Sequence, residues 1–90
     1  MRRIFKYPIP VRDEIEVMMP EECLVISCQA QHGKPYIWAV IDDDTPLIPH
    51  HFNIVGTGQP ADHLDGAFID TFQLEGGNLV FHLFHCHDDS

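Results

Sequence analysis

Beyond Lys34 the sequence has no lysine or arginine: all five basic residues, Arg2, Arg3, Lys6, Arg12 and Lys34, fall in residues 1–34. There Asp13, Glu14, Glu16, Glu21 and Glu22 balance them, so the nine carboxylates of residues 35–90 carry the whole formal charge of −9. A surface of that sign repels a phosphate backbone and an anionic bilayer, which excludes long nucleic acid and membrane surfaces as partners. Serine is nearly absent, with only Ser27 and Ser90, and no Gly-x-Ser-x-Gly elbow is present to build a serine nucleophile. The three cysteines, Cys23, Cys28 and Cys86, are odd in number and form no Cys-x-x-Cys pair. Together with the lack of an apolar leader at the N-terminus, this points to a reduced, cytoplasmic protein. No apolar run approaches the ~18–20 residues that a helical membrane span needs.

What is present is a folded domain's share of apolar residues, 44% over 90 residues. A chain this short buries only about 60–65% of the surface its unfolded form exposes, so association with further copies is the natural way to add buried area, and a homo-oligomer is expected. Seven prolines and six glycines interrupt the chain too often for a helical stripe of more than two turns. Between them the period is two. Leu24, Ile26, Cys28 and Ala30 alternate with Val25, Ser27 and Gln29, and residues 67–74 and 79–84 form a second pair of alternating runs around Glu75-Gly76-Gly77-Asn78. Residues 36–41 are apolar on both faces, as in a central strand covered on both sides or a strand at a subunit interface. Residues 4–7, 14–19 and 51–55 are weaker strands, and Asp42-Asp43-Asp44-Thr45-Pro46 and residues 59–66 are the two long loops. Six or seven short strands predict an all-β fold, a small antiparallel sandwich or open barrel spanning residues 1–84, followed by a polar, histidine-rich tail at 85–90. Asp70, on a face otherwise made of Phe and Leu, either meets water at the strand end or accepts a hydrogen bond across its hairpin. Tyr36, Trp38, Phe68, Phe72, Phe81 and Phe84 are expected in the core.

Three groups of segments, Ile4-Phe5-Lys6-Tyr7-Pro8-Ile9-Pro10, Trp38-Ala39-Val40-Ile41-Asp42, and Phe52 to Pro60 followed by Ile69-Asp70-Thr71-Phe72-Gln73 and Leu79-Val80-Phe81-His82-Leu83-Phe84, resemble in this order a family of short phage and prophage proteins. The resemblance implies an accessory role and no particular reaction, because none of these segments is a catalytic signature.

The chemistry-bearing residues are few. Gly56-Thr57-Gly58 follows a strand and reads as a turn or bulge; alternatively its N–H groups bind a nucleotide-like anion with help from Lys6 or Arg12 of the same or a neighbouring subunit. It lacks the Gly-Lys-Ser/Thr ending of a phosphate loop. In the His82-x-x-His85-Cys86-His87 cluster, strand geometry leaves only His85 and His87 as a chelating pair. A zinc site would then need His50, His51 or Asp88 as well. Cys28 lies on an apolar face as an inert core residue, no spacing pairs Cys23 or Cys86 with a particular histidine, and Asp42, Asp43 and Asp44 read as a solvated acidic tip. With no convergent base, orienter and cleft, no catalytic residue, metal or cofactor is expected. The resulting expectation is a non-enzymatic phage accessory protein that binds a small nucleotide-like signalling ligand through Lys6, Arg12, Gly56, Thr57 and Gly58, with counter-defence against the host as its purpose. The alternatives are an acidic module that blocks a host protein and a metal-binding protein using the C-terminal histidines.

Overall fold

The computed structural model describes residues 1–86. Seven strands follow in order: β1 (Arg2–Pro8), β2 (Glu14–Pro20), β3 (Cys23–Gln31), β4 (Lys34–Asp42), β5 (Leu47–Gly56), β6 (Ala67–Leu74) and β7 (Leu79–His85), with a 3₁₀ turn at Glu75–Gly77 between the last two. They form two antiparallel sheets, β1-β4-β3 and β2-β5-β7-β6, that make an open sandwich of the predicted all-β class. β7 takes in His85, and the Cys86 N–H donates to the His51 carbonyl at 2.8 Å, so the ladder runs on past residue 84. Among the described residues no helix is long and apolar enough to cross a membrane.

Period-two alternation sets the core. β4 turns Ile37, Ala39 and Ile41 inward, where they meet Cys28 and Val25 of β3. From the opposite sheet come Ile15 and Met19 of β2, Phe52 and Ile54 of β5, Phe72 of β6 and Leu83 of β7, all buried. Burying the Val, Ile, Leu, Met and Phe side chains among these is worth roughly 1.5–3 kcal/mol apiece, and it drives the two faces together. Of the aromatic residues expected in the core only Phe72 is fully buried, with Phe81 stacked on it at 5.6 Å. Tyr36 and Trp38 lie on the opposite face of β4, and Phe68 is exposed beside Phe84.

β5 begins at Leu47, upstream of Pro49, where a proline would ordinarily end a strand. It is tolerated because β5 gives the N–H groups of its even residues to β2 and of its odd residues to β7. Among the described residues the register with β7 begins at Phe52, and none of their ladder bonds requires a Pro49 N–H.

The two sides of the sandwich differ. On one, β3 and β6 are the sheet edges, each carries a bulge (between Val25 and Ser27, and between Phe68 and Asp70), and Asp70 joins them. Its carboxylate accepts from Cys28 N–H (3.0 Å), Gln29 Nε2 (3.0 Å) and Ser27 Oγ (3.3 Å) on β3, and from Thr71 N–H (2.8 Å) on its own strand. The bond thus runs to the other sheet, not across the β6–β7 hairpin. On the other side, the edges are β1 and β2, and among the described residues no strand pairs with the free edge of either.

Candidate functional site

The residues expected to bind an anion are divided by the fold. Lys6 stands on the outer face of the three-stranded sheet, its ammonium bonded to Gln31 Oε1 and 4.7 Å from the Tyr36 ring centre. Arg12, in the link between β1 and β2, meets Gly56 in a different place: a cleft of about 260 Å³ that Asp13, Gln59, His63 and Phe81 also line. Thr57 and Gly58 form the tight turn after β5. Gln59 N–H closes it on the Gly56 carbonyl (3.0 Å), Thr57 N–H donates to Val80 O (3.0 Å), and Gly58 takes φ +84°. Two of the loop's donors are therefore used inside the fold, which is how a turn behaves and leaves little of an anion cradle. The Thr57 hydroxyl is engaged too, at 2.8 Å from His82 Nε2, while His82 Nδ1 lies 2.9 Å from Thr71 Oγ1. Arg12 makes no ion pair among the described residues.

Next to this cleft is another of about 370 Å³, lined by Glu14, His51, Asn53, His63, Asp65 and Cys86. Its floor is Asn53, a buried polar residue that alternation alone does not mark. Asn53 Nδ2 donates to Asp13 O (3.3 Å), and its Oδ1 accepts from Asp65 N–H (3.1 Å) and Cys86 Sγ (3.1 Å). His63 Nε2 bonds to Ile54 O at 3.1 Å. Asparagine thereby ties the 57–66 loop to the start of β2. Arg12 lines the smaller cleft beside Asp13, whereas the larger one has Glu14 and Asp65 and no lysine or arginine, so the carboxylates of the larger cleft oppose a free anion.

Metal-ligand geometry occurs elsewhere. Among the described residues only Asp42, Asp43 and Asp44 bring three ligand atoms within 4.8 Å of one another, and the Met1 ammonium contacts all three carboxylates at 2.7–3.4 Å. Donating hydrogen bonds to Asp44 and Asp43 raises the pKa of that ammonium to about 11. The same bond, with a second from Arg3 at 2.6 Å, holds Asp43 below the ordinary carboxylate range. Of the proposed chelating pair, His85 faces inward, stacked on Phe52 at 4.5 Å, and His87 lies outside the described residues.

The fold does pair a thiol with an imidazole, which spacing could not show. Cys23 of β3 and His50 of β5 come from different sheets, with Sγ 3.8 Å from Nδ1 and 3.6 Å from Nε2. Near-equal distances put the sulfur beside the ring between the nitrogens, not in line with either lone pair, and His50 Nε2 is bonded to Pro20 O at 2.9 Å. Burial raises the Cys23 thiol, and it pushes Cys28, with the Asp70 charge as a second cause, up to about 12. Both thiols are thereby kept protonated, the reverse of an activated nucleophile.

The largest departure from the alternation pattern is the outer face of the three-stranded sheet. Register puts Ile4 of β1, Leu24 of β3 and Val40 of β4 in one row, with Trp38, Tyr36 and Ile26 beside it. Ile4 is 61% exposed, Leu24 62% and Ile26 49%, so β4 is a central strand covered on one face only. The same sheet carries four of the five basic residues, Arg2, Arg3, Lys6 and Lys34, whereas the strands of the other sheet, histidines aside, have only Glu14, Glu16 and Asp70 as charged groups.

The family model described as a domain of unknown function (DUF7352) matches residues 1–90, and the chain belongs to that family. No curated protein and no solved structure matches it.

Proposed function

We propose that this member of the family acts by binding a protein, without chemistry of its own, through the outer face of β1-β4-β3. One observation carries the reading: exposed Ile4 and Leu24 flank half-buried Val40, with half-buried Trp38 and Tyr36 beside them, edged by Arg2 and Lys6 in a molecule of net charge −9. Aromatic and aliphatic side chains with cationic edges are the composition of a protein interface. Charge complementarity selects a partner with an apolar patch rimmed by carboxylates. The likeness to short phage and prophage proteins supplies the setting, an accessory that occupies a host protein stoichiometrically.

The test is affinity capture with the whole chain, identification of what is retained, and reconstitution with that purified protein. Leu24→Asp and Val40→Asp should each abolish the reconstituted complex while leaving the circular dichroism melt in place. Retained binding by both variants would refute the reading.

Arg12, with His63 and Gln59 beside it, favours a second reading, a small nucleotide-like ligand in the 260 Å³ cleft. A thermal-shift panel of cyclic and linear nucleotides tests it: stabilisation that Arg12→Ala removes supports it, and a flat panel removes it.

A further inference from the structure

The open side of the sandwich presents two unpaired strands, and hydrogen-bond phase shows what each offers. Asp43 N–H to Met1 O and Ile9 N–H to Pro35 O place the odd residues of β1 in the bonded pairs with β4. Arg2, Ile4 and Lys6 therefore aim their N–H and C=O groups outward. In the same way, Ile54 N–H to Asp13 O and Glu21 N–H to Pro46 O commit the odd residues of β2 to β5, so that Glu14, Glu16 and Met18 aim theirs outward. Each edge ends in a proline, Pro8 or Pro20, that cannot donate. Charges and prolines are how edge strands avoid indiscriminate pairing. Here the charges are cationic on one edge and anionic on the other.

We propose that these two edges bind each other between two copies of this chain. An antiparallel register that sets Ile4 opposite Met18 of the second copy also sets Lys6 opposite its Glu16, joining apolar to apolar and cation to anion. The prolines bound that ladder: Pro8 faces Glu14, where it need only accept, and Arg2 faces Pro20, whose carbonyl His50 Nε2 already engages at 2.9 Å. Ile4 and Met18, 61% and 50% exposed in the single chain, become cross-strand neighbours. Pairing of β1 with β1, or of β2 with β2, sets like charges against each other and is disfavoured. β1 and β2 are both remote from the β3/β6 seam, so they lie on one side of the sandwich. A two-fold axis running between the sheets along the strands lets β1 pair with the second copy's β2 while β2 pairs with its β1. The contact then closes as a dimer in which each three-stranded sheet continues into the other copy's four-stranded one. It also accounts for β1 being exposed at every residue but Tyr7, since β1 is then an interior strand of the assembly.

A charge swap tests this surface independently of any protein docked on the face. In low salt the wild-type chain should sediment at twice its 10.3 kDa mass. Lys6→Glu and Glu16→Lys, each alone, should weaken the dimer about ten-fold or more, because both symmetric ladders then face like charge. An equimolar mixture of the two variants should restore it, as each variant's β1 then meets a β2 of opposite sign. Unchanged melting curves establish that the variants fold. A wild-type chain that stays at 10.3 kDa at the highest soluble concentration overturns the proposal, and so does a mixture no more associated than either variant alone.

Discussion

The two sides of this sandwich meet the same physical problem and resolve it differently. A sheet edge exposes N–H and C=O groups that must find partners. On the β3/β6 side the solution is internal: two bulges bring the strands' edges together, and one carboxylate takes the Cys28 N–H that β4 leaves free, along with the Ser27 and Gln29 side chains. On the β1/β2 side no clasp exists among the described residues. Arg2 and Lys6 guard one edge, and Glu14 and Glu16 the other. The closed side therefore holds the domain together, and the open side is available for contact.

Substitutions should separate these roles, with the largest effects on the closed side. Gly66, at φ +137° ahead of β6, has no room for a Cβ, which would stand 2.1 Å from the His85 carbonyl oxygen. Gly66→Ala should cost at least about 3 kcal/mol in urea unfolding, by forcing β6 away from β7. Asp70→Ala leaves two N–H groups and two side chains without their acceptor and should cost about 2–3 kcal/mol in the same measurement. A loss under about 0.5 kcal/mol would show that the seam is held by packing alone.

The pH dependence of the clasp has a definite sign. Partial burial pushes the Asp70 carboxyl up, but its four donors outweigh that and hold it below its ordinary 3.8. Its contribution is then complete above 3.8 and lost as pH falls through the lower folded-state value. Asp70→Asn should accordingly flatten the acid limb of the stability curve relative to wild type. Thiol labelling should follow the same division, with Cys28 reacting only on unfolding and half-buried Cys23 reacting sooner. The smallest effect belongs to the open side, where Lys6→Glu should change the stability of the isolated chain by no more than about 0.5 kcal/mol.

Much of the fold was legible because period-two alternation marks β2 and β4, and Glu75-Gly76-Gly77-Asn78 announces its own hairpin with successive positive φ values from Glu75 to Gly77, whereas bulges shift the alternation within β3 and β6. The start of β5 was hidden by Pro49, whose missing N–H falls on the side of the strand turned away from β2. Asp70 stood out as a conflict on an apolar face, but its partners lie some forty residues away on another sheet, beyond anything local pattern can reach. The site was less legible. Arg12 and Gly56 do share a cleft, whereas Lys6, near Arg12 in sequence, belongs to the other sheet; β5 brings His51 and Asn53 to the neighbouring cleft, and His63 from the following loop lines both. The confinement of every basic residue to the stretch ending at Lys34 was plain from the start; that four of the five mark one sheet emerges only when β1 is seen to pair with β4.

Amide hydrogen exchange, read residue by residue at low and high protein concentration, tests the division most directly. The odd residues Arg3, Phe5, Tyr7, Ile15 and Val17 should be protected at both concentrations, while Ile4, Lys6, Glu16 and Met18 should exchange freely when dilute and slow down together when concentrated. Free exchange at these four positions at every concentration would contradict the account, since the open side would then remain an edge and not an interface.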